Sequence, residues 1–315
     1  MKLKKLVATL GLGLLATGVF ATEMPKELNI VYVKAPFNLQ NMVIKDQQLL
    51  EKAFATDNTK VNWKTITSGA KQAQAMAAGA VDMSAVMNTA SLLMANGAGN
   101  PIYVATGVSH PADTFAIVGK AGEKLSVKDL KGKKIVGPRG TVLHQLLIAS
   151  LVKNGMKPSD VDFVAMDIPS ALAALTSGHA DAALLAASAV IKAEKAGCQI
   201  VTTAKDLVNV NLVTTVSKSF AEKHPEAVKK VVQVQRDALT WIQNNWDKAV
   251  AIGAKEHGIS LEEAQKLASW SHYYNLLNEK DIAGLEEDQK FLLENGMMAK
   301  KVDVKSLVLP IAQGK

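Results

Sequence analysis

Two similar eight-residue segments constrain the fold of this chain more than any other feature of its sequence. AMAAGAVD (residues 75–82) and ALTSGHAD (residues 174–181) each combine a helix end, a glycine and, three residues later, an aspartate that opens a strand. Each follows a β-rich run (61–67 and 161–166) and a loop that begins a helix. Glycine ends helices in many proteins, so a chance likeness of two βαβ units is the alternative interpretation. The repeated order of strand, loop, helix and strand favours two related α/β lobes.

The rest of the chain alternates short apolar strands with amphipathic helices. Strands are predicted at 28–33, 61–67, 82–86, 134–137, 161–166, 180–186 and 199–202. Helices are predicted at 39–54, 68–78, 141–153, 170–176, 189–196, 225–245, 248–256, 261–270 and 279–295. We therefore expect lobe 1 to begin with residues 22–115, lobe 2 to span 116–205, and residues 206–315 to return to lobe 1 with the C-terminal helices. The chain crossings near Phe115 and Val210 form the expected hinge.

Residues 1–21 have the pattern of a secretory signal peptide. Lysines at the start precede an apolar run from Leu6 to Phe20, and small residues up to Ala21 suit cleavage by a signal peptidase. The run is shorter than the roughly 20 residues that span a bilayer, although a retained N-terminal anchor is the alternative. No cysteine follows the run, so lipid anchoring is not expected. We predict cleavage near Ala21 and a periplasmic protein.

The charged residues argue against nucleic-acid binding. The chain has 36 Lys and Arg against 29 Asp and Glu, but only Arg139 and Arg236 are arginines. Arginine makes most bidentate contacts to phosphates and base edges, so no nucleic-acid partner is expected. Loss of three lysines with the signal peptide leaves 33 − 29 = +4. The single cysteine, Cys198, excludes an intrachain disulfide and a cysteine-only metal site.

The sequence holds no common motif for covalent or cofactor catalysis. It contains no G-x-S-x-G, no G-x-x-x-x-G-K-[ST], no G-x-G-x-x-G after a strand and no H-E-x-x-H. The histidines have no partner at the i, i+4 spacing typical of a metal site. We therefore predict a binding protein and not an enzyme, without a cofactor or a metal.

Two lobes joined by two chain segments form a crevice in which a ligand can bind. In open α/β sheets, the loops at the carboxyl ends of the strands face such a crevice. The residues predicted to contact a ligand are Lys34, Pro36, Phe37, Ser68, Gly69, Asn88 and Thr89 in lobe 1, Arg139, Gly140, Thr141, His144 and Ser188 in lobe 2, and Trp270 in the C-terminal part.

The stretch KIVGPRGT (residues 134–141) bears most directly on the ligand. A strand ends at Gly137, and Thr141 begins a helix whose free N–H groups and positive dipole end favour an anion. Arg139 either contacts that anion or remains a solvated loop residue. His144 lies one turn into the helix and either faces the ligand or is packed and hydrogen-bonded.

The run WSHYY (residues 270–274) concentrates aromatic residues in the C-terminal part. Aromatic side chains often line small-molecule clefts, which would place Trp270 at the ligand. Packing between the long helices is the alternative, and the sequence does not separate the two.

Several stretches follow the order and spacing of a known class of proteins. They are SGAK (68–71), AGAVD (78–82), VKDLKGKKI (127–135), GPRGT (137–141), NGMKPSDV (154–161), AALTSGHAD (173–181) and FAEKHPE (220–226). In these stretches the chain resembles the periplasmic substrate-binding components of ABC importers, over nearly all of the predicted mature chain. It is most similar to the branch that binds nitrate, sulfonates and taurine, which includes binders of a thiamine pyrimidine precursor.

The resemblance implies a type II periplasmic-binding-protein fold, with two α/β lobes joined by a two-strand hinge. It also implies a monomer that captures a small, anionic, sulfonate-, taurine- or nitrate-like solute by hinge closure and delivers it to a permease and ATPase complex in the inner membrane. The loops at Ser68 and Gly69, Asn88 and Thr89, and Gly140 and Thr141 match the ligand-facing loops of the family. A binding module for a membrane sensor is one alternative. The other is an enzyme on the same scaffold, like the thiamine-pyrimidine synthases, although this chain lacks their cysteine-rich metal segment.

Overall fold

Two five-stranded sheets form the framework of the fold in a computed structural model that describes residues 23–315. The predicted signal peptide, residues 1–21, lies outside the described residues. The first sheet contains β1 (Glu27–Tyr32), β2 (Lys60–Thr65), β3 (Met83–Asn88), β4 (Ile102–Ser109) and β10 (Leu212–Ser217), in the order β2-β1-β3-β10-β4. The second contains β5 (Phe115–Gly119), β6 (Lys134–Gly137), β7 (Asp162–Ala165), β8 (Ala182–Ala186) and β9 (Gln199–Thr203), in the order β7-β6-β8-β5-β9.

The two sheets have the same construction. β1 pairs in parallel with β2 and β3, and β6 pairs in parallel with β7 and β8. β10 lies antiparallel between β3 and β4, as β5 does between β8 and β9. The two similar sequence segments precede β3 and β8, which occupy equivalent places in the two sheets. We call the first sheet with its helices lobe 1 and the second lobe 2; the chain crosses between them after β4 and after β9.

Helices cover the faces of both sheets. Lobe 1 carries α1 (Leu39–Asp46), α2 (Leu49–Phe54), α3 (Gly69–Ala77) and α4 (Thr89–Gly97), and lobe 2 carries α5 (Val142–Lys153), α6 (Ile168–Thr176) and α7 (Ser188–Lys195). The C-terminal helices are α8 (Lys218–Lys223), α9 (Pro225–Asn244), α10 (Trp246–His257), α11 (Leu261–Ser269) and α12 (Glu279–Glu294). α9 and α10 pack on α1, and α12 packs on α4, so they complete lobe 1. None of the helices within residues 23–315 has both the length and the apolar character that a membrane crossing requires.

Helix ends follow the local sequence closely. The side chain of Asn88 accepts a hydrogen bond from the Ser91 N–H at 2.9 Å and so caps α4. Asp167 caps α6 in the same way, through the Ser170 N–H at 2.9 Å. The glycines of the two similar segments lie just beyond α3 and α6, in the left-handed conformation that favours glycine: φ is +69° at Gly79 and +77° at Gly178. The local sequence therefore determines where these helices begin and end.

The single helix predicted over residues 39–54 is wrong. The structure has two helices, α1 and α2, because Gln48 takes a left-handed conformation with φ of +53°. A residue in that conformation cannot continue a right-handed helix. The strands β4, β5 and β10 were not predicted at all.

Gly137, the last residue of β6, is packed so closely that a side chain does not fit. A Cβ at this position would lie 2.5 Å from the Cβ of Leu184 in β8. We predict that Gly137→Ala lowers the free energy of unfolding by about 1–3 kcal/mol, as overpacked cores do. Urea unfolding followed by circular dichroism measures the change.

Gly284→Ala is the matched control for this substitution. Gly284 lies within α12, where a new Cβ would only meet Asn209 at an ordinary contact distance of 3.6 Å. Alanine also favours the helix over glycine, so this variant should be as stable as the unchanged protein or more stable. Equal losses of stability in the two variants would contradict the prediction.

Candidate functional site

The loops that follow the parallel strands of the two lobes meet at the boundary between the lobes, which we call the cleft. The hydroxyl of Ser91, in the first turn of α4, donates a hydrogen bond to the carbonyl oxygen of Gly140 at 2.8 Å. The N–H of Val142, at the start of α5, donates to Oδ1 of Asn88 at 3.2 Å. α4 belongs to lobe 1 and α5 to lobe 2, so the lobes meet through the N-termini of two helices.

The N-terminus of α3 packs against those of α4 and α5 at two glycines, Gly69 and Gly140. A Cβ on Gly69, the first residue of α3, would lie 2.6 Å from both Nδ2 of Asn88 and Oγ of Ser91. Gly140 has a φ of +69°, and a Cβ there would lie 3.4 Å from the Cβ of Ala70 in α3. We call Gly69, Asn88, Ser91 and Gly140 the glycine cluster. It brings the N-termini of α3, α4 and α5 together because glycine permits the close approach.

The backbone N–H groups at these helix ends differ in what they bind. The first N–H groups of any helix have no partner within the helix. In α4 the side chain of Asn88 accepts one of them, and the N–H of Thr89 donates to the Asn211 carbonyl at 3.1 Å. At the N-caps of α3 and α5, neither Ser68 nor Thr141 caps its helix with its hydroxyl, although the N–H of Val142, the first of α5, donates to Asn88. The positive ends of α3 and α5 therefore suit an anion.

A second cluster joins the lobes beside the first. The Nε2–H of His257 donates to the carbonyl oxygen of Lys34 at 3.0 Å, and its Nδ1 lies 3.3 Å from Oγ of Ser188. The imidazole centroid is 5.1 Å from that of Phe37. We call Lys34, Phe37, Ser188 and His257 the histidine cluster. Except for His257, the residues of the histidine cluster follow β1 and β8, whereas Asn88 and Gly140 of the glycine cluster follow β3 and β6. Because β1 neighbours β3 and β8 neighbours β6, the two clusters lie side by side along the cleft.

The hydrogen bonds of His257 define its protonation state. The carbonyl of Lys34 only accepts, so Nε2 carries the proton, and a neutral ring then accepts the Ser188 hydroxyl at Nδ1. Burial lowers the pKa of His257 to about 4, although the hydrogen bond to the Lys34 carbonyl acts in the opposite direction. His257 is therefore neutral near pH 7.

The backbone is strained where β8 leads into α7. Ala187 has a φ of +48° and a ψ of −119°, a combination that alanine rarely adopts, and its side chain is buried. The Ala187 N–H donates to the Thr114 carbonyl at 2.8 Å, which ties this turn to the first crossing. The strained turn sets the position from which Ser188 reaches His257.

The turn after β1 is held by the side chain of Asn38. Pro36 is buried and follows a cis peptide bond. Nδ2 of Asn38 donates to the carbonyl oxygens of Val33 and Ala35, both at 2.7 Å. Lys34 is exposed, and its ammonium donates to the Glu256 carbonyl at 2.7 Å.

The side chains of Arg139 and His144 both contact Phe163 of β7. The guanidinium of Arg139 is exposed and sits 4.8 Å from the ring centroid of Phe163 in β7. The imidazole of His144 stacks on the same ring, with centroids 4.8 Å apart. Burial, and then the charge of Arg139, lowers the pKa of His144 to about 4. A role for either side chain in ligand binding stays a prediction.

The aromatic run of residues 270–274 divides between two places. Trp270 is half-buried against the helices of lobe 1, and the Lys266 ammonium lies 4.7 Å from its ring centroid. The hydroxyl of Tyr273 donates to the Phe37 carbonyl at 2.7 Å. The ring of Tyr274 stacks on His110 of the first crossing, with centroids 4.2 Å apart. Trp270 and Tyr273 thus support the turn after β1, and Tyr274 supports the hinge.

The sequence analysis missed two residues that connect the lobes. Ser91 stands three residues after Asn88, the spacing of an N-cap and its partner, so its place in the first turn of α4 could have been predicted. His257 gives no such signal, because it is 223 residues from Lys34 in sequence. In the part of the chain that the structure describes, no group of three His, Cys, Asp or Glu side chains could hold a metal ion.

Residues 54–249 match the NMT1/THI5-like family. This range includes both crossings, the whole glycine cluster and, of the histidine cluster, Ser188. The chain belongs to this family. It is 24% identical over 310 residues to the putative aliphatic sulfonates-binding protein of Escherichia coli K12, covering 94% of this chain and 93% of that one. It is also 32% identical over 202 residues to the taurine-binding periplasmic protein of the same organism, covering 60% of this chain and 59% of that one.

Solved structures extend the likeness to the fold. The alkanesulfonate-binding protein of Xanthomonas axonopodis pv. citri, bound to MOPS, superposes with a TM-score of 0.80 at 20% identity, covering 91% of this chain and 99% of that one. The expected type II periplasmic-binding-protein fold, an α/β fold with two lobes and a two-strand hinge, is confirmed.

The buried imidazole of His257 predicts a loss of stability in acid. Its pKa lies below the usual 6.5 in the folded protein, so the unfolded chain binds more protons between about pH 6.5 and 4. Its contribution is complete above pH 6.5 and is lost as the pH falls toward 4, by at most about 1.4 kcal/mol per pH unit. Thermal unfolding across this range measures the loss.

His257→Gln should reduce this pH dependence. Glutamine can donate to the Lys34 carbonyl but does not titrate, so the variant should lose less stability between pH 6.5 and 4 than the unchanged protein. His272→Gln removes an exposed imidazole and should follow the unchanged protein. Parallel curves for His257→Gln and the unchanged protein would contradict the role given to His257.

Proposed function

We propose that this protein captures a small sulfonate-class anion between its lobes by hinge closure and delivers it to an ABC permease. The observation that carries the proposal is the glycine cluster, where the N-termini of three helices from both lobes converge. Helix N-termini bind anions through free N–H groups and the positive end of the helix dipole.

Sulfonate chemistry fits this arrangement. A sulfonate is fully ionised in water and carries three oxygens that accept hydrogen bonds in different directions. N–H groups from α3 and α5 approach the cleft from opposite lobes, so separate oxygens can bind each lobe. The names of two relatives, aliphatic sulfonates-binding and taurine-binding, support the same class, as does the MOPS in a structural neighbour, since MOPS is itself an alkanesulfonate. Nitrate offers three oxygens as well, in one plane.

Contacts from both lobes to one solute would drive the hinge closure. The lobes are joined by direct hydrogen bonds at both clusters and by an ion pair between Lys195 of α7 and Glu263 of α11, with a distance of 2.7 Å. The ion pair is exposed and contributes little. A solute that binds both lobes favours the closed arrangement by its differential affinity, and the two crossings serve as the hinge.

The proposed setting follows from the predicted signal peptide and from the family. Export and cleavage near Ala21 would release a monomeric protein into the periplasm. The permease and its ATPase would then recognise the closed, loaded surface. The protein itself performs no reaction in this scheme, so the solute leaves it unchanged.

Isothermal calorimetry on residues 22–315 tests the proposal. Ethanesulfonate, taurine and nitrate are compared with propionate, which has the size of ethanesulfonate but a two-oxygen planar head. Stoichiometric binding of a sulfonate, with propionate weaker by about tenfold or more, is expected, because one lost charged hydrogen bond costs about that factor. NMR of the recovered solute should show it unchanged. Binding of neutral or cationic compounds alone, or turnover of the sulfonate, would refute the proposal.

Asn88→Asp tests the glycine cluster. A carboxylate still accepts the N–H groups of Ser91 and Val142, and aspartate caps helices as well as asparagine does. It also adds a negative charge beside the proposed anion, so sulfonate affinity should fall by about tenfold or more while the melting temperature is kept. Gln74→Glu makes the same charge change on the exposed side of α3 and should leave the affinity unchanged. Equal affinities of the two variants would exclude the cluster as the anion site.

Arg139→Ala examines the remaining candidate cation of lobe 2 separately. If the guanidinium leaves Phe163 to contact the solute, the substitution weakens binding of the sulfonate in calorimetry. An unchanged affinity would remove Arg139 from the site and leave the helix N-termini as the source of the positive potential.

A further inference from the structure

A buried carboxyl and a buried carboxamide meet across the lobes on the hinge side of the molecule. Gln145 of α5, in lobe 2, is 2% exposed, and Asp288 of α12, on lobe 1, is 4% exposed. Nε2 of Gln145 donates to Oδ1 of Asp288 at 2.9 Å. Both residues line a groove of about 930 Å³ whose walls include parts of both crossings, from His110 and from residues 205–211. The pair is therefore placed where relative motion of the lobes would alter it.

The other oxygen of each group is buried without a donor. Oε1 of Gln145 and Oδ2 of Asp288 find no hydrogen-bond partner among residues 23–315. Both atoms only accept while Asp288 is ionised. They belong to two groups that already share one hydrogen bond. A single proton on Oδ2 would make it a donor, and a hydrogen bond from it to Oε1 would close a ring of two hydrogen bonds between acid and amide.

The surroundings of Asp288 favour that proton. Burial raises the pKa of Asp288 to about 7, and the charge of neighbouring Glu287 adds to this, whereas the hydrogen bond from Gln145 opposes it. α5 contributes only uncharged residues to the groove, and α4, which packs on α12, contains no charged residue. The charged or titratable groups that face the groove are His110, Lys205, Asp206, Lys280, Asp281 and Glu287.

His110 is the one group in the groove whose titration could be confused with that of Asp288. Its Nε2 lies 3.3 Å from Oδ1 of Asp281, and burial lowers its pKa despite that carboxylate. Protonation of His110 would act through Asp281 and the first crossing. Substitutions at Asp288 separate the two groups, because they leave His110 and Asp281 in place.

We propose that a proton held between Asp288 and Gln145 latches the two lobes together, and that its loss as the pH rises to neutrality favours their separation. The effect on solute affinity rests on the function proposed above, whereas the latch itself does not. Separation of α5 from α12 would admit water to Asp288 and return its carboxyl toward its ordinary pKa of 3.8. The closed arrangement then binds more protons between about pH 4 and 7, so closure is favoured in acid, weakens as the pH rises to 7 and is constant above it.

Asp288→Asn is the decisive variant. The asparagine amide can accept from Nε2 and donate to Oε1 of Gln145 at every pH, so it mimics the protonated acid. Glu287→Gln is the matched control, since it removes a carboxylate from the same helix as Asp288 and leaves Asp288 able to titrate. Glu287 accepts a hydrogen bond from Nδ2 of Asn209 at 3.3 Å, and loss of its charge lowers the pKa of Asp288 without removing the acid. Both variants and the unchanged protein are compared at about pH 5.5 and about pH 8.

The first measurement needs no solute. Double electron–electron resonance between two spin labels reports the distance between the lobes. The labels are attached to cysteines that replace the exposed Lys52 in lobe 1 and Lys153 in lobe 2, in a Cys198→Ala background. The unchanged protein and Glu287→Gln should show more of the short distance at pH 5.5 than at pH 8. Asp288→Asn should show the short distance equally at both. The same response to pH in all three proteins, or none in any, would overturn the latch.

The second measurement is the affinity for ethanesulfonate, which stays ionised across this range. The unchanged protein should bind up to about thirtyfold more tightly at pH 5.5 than at pH 8, since pH 5.5 lies about 1.5 units below the pKa of Asp288 and each unit is worth a factor of ten. Glu287→Gln should respond to pH in the same direction. Asp288→Asn should bind equally at both. Absence of ethanesulfonate binding at either pH would refute the proposed function, while the distance measurement would still decide the latch. A pH dependence in Asp288→Asn equal to that of the unchanged protein would refute the coupling.

Discussion

The side-chain oxygen of Asn88 is the group on which the cleft depends. It accepts one N–H from α4 in its own lobe and one from α5 in the other, so one atom both caps a helix and ties the lobes together. Its amide nitrogen lies against the start of α3, where only glycine leaves room at position 69. Three positive helix ends thereby meet at one residue, which is the basis of the proposed anion site.

Asn88 is also connected to the hinge through its neighbour Thr89. The N–H of Thr89, next to Asn88, donates to the carbonyl of Asn211 in the second crossing. The side chain of Asn211 accepts the hydroxyl of Tyr274, and the ring of Tyr274 stacks on His110 in the first crossing. Cleft and hinge are thus parts of one packed unit. In the proposed function, a solute that draws α5 toward α4 would act directly on the two crossings.

Local sequence predicted those parts of the fold that neighbouring residues decide. The helix ends at Gly79 and Gly178 depend on a few adjacent residues, and the structure has them where the pattern indicates. The break at Gln48 was missed, because an apolar periodicity continues through a residue that leaves the helical conformation. β10 was missed because it pairs with β3 and β4, more than 100 residues earlier in the chain.

The residues of the candidate site also include some that the sequence could predict and some that it could not. Gly69, Asn88 and Gly140 could be proposed because the carboxyl ends of parallel strands meet at one edge. The side-chain direction of Arg139 could not, since it depends on Phe163 from another strand. The bond from His257 to Lys34 likewise depends on a helix that returns from the far end of the chain.

The most direct test of the account is a crystal structure of the protein with 2-bromoethanesulfonate, in which anomalous scattering from bromine locates the solute independently of its shape. The account predicts a bromine peak between the lobes, with sulfonate oxygens at hydrogen-bond distance from N–H groups in the first turns of both α3 and α5. A solute bound by one lobe only, or outside the cleft, would contradict it.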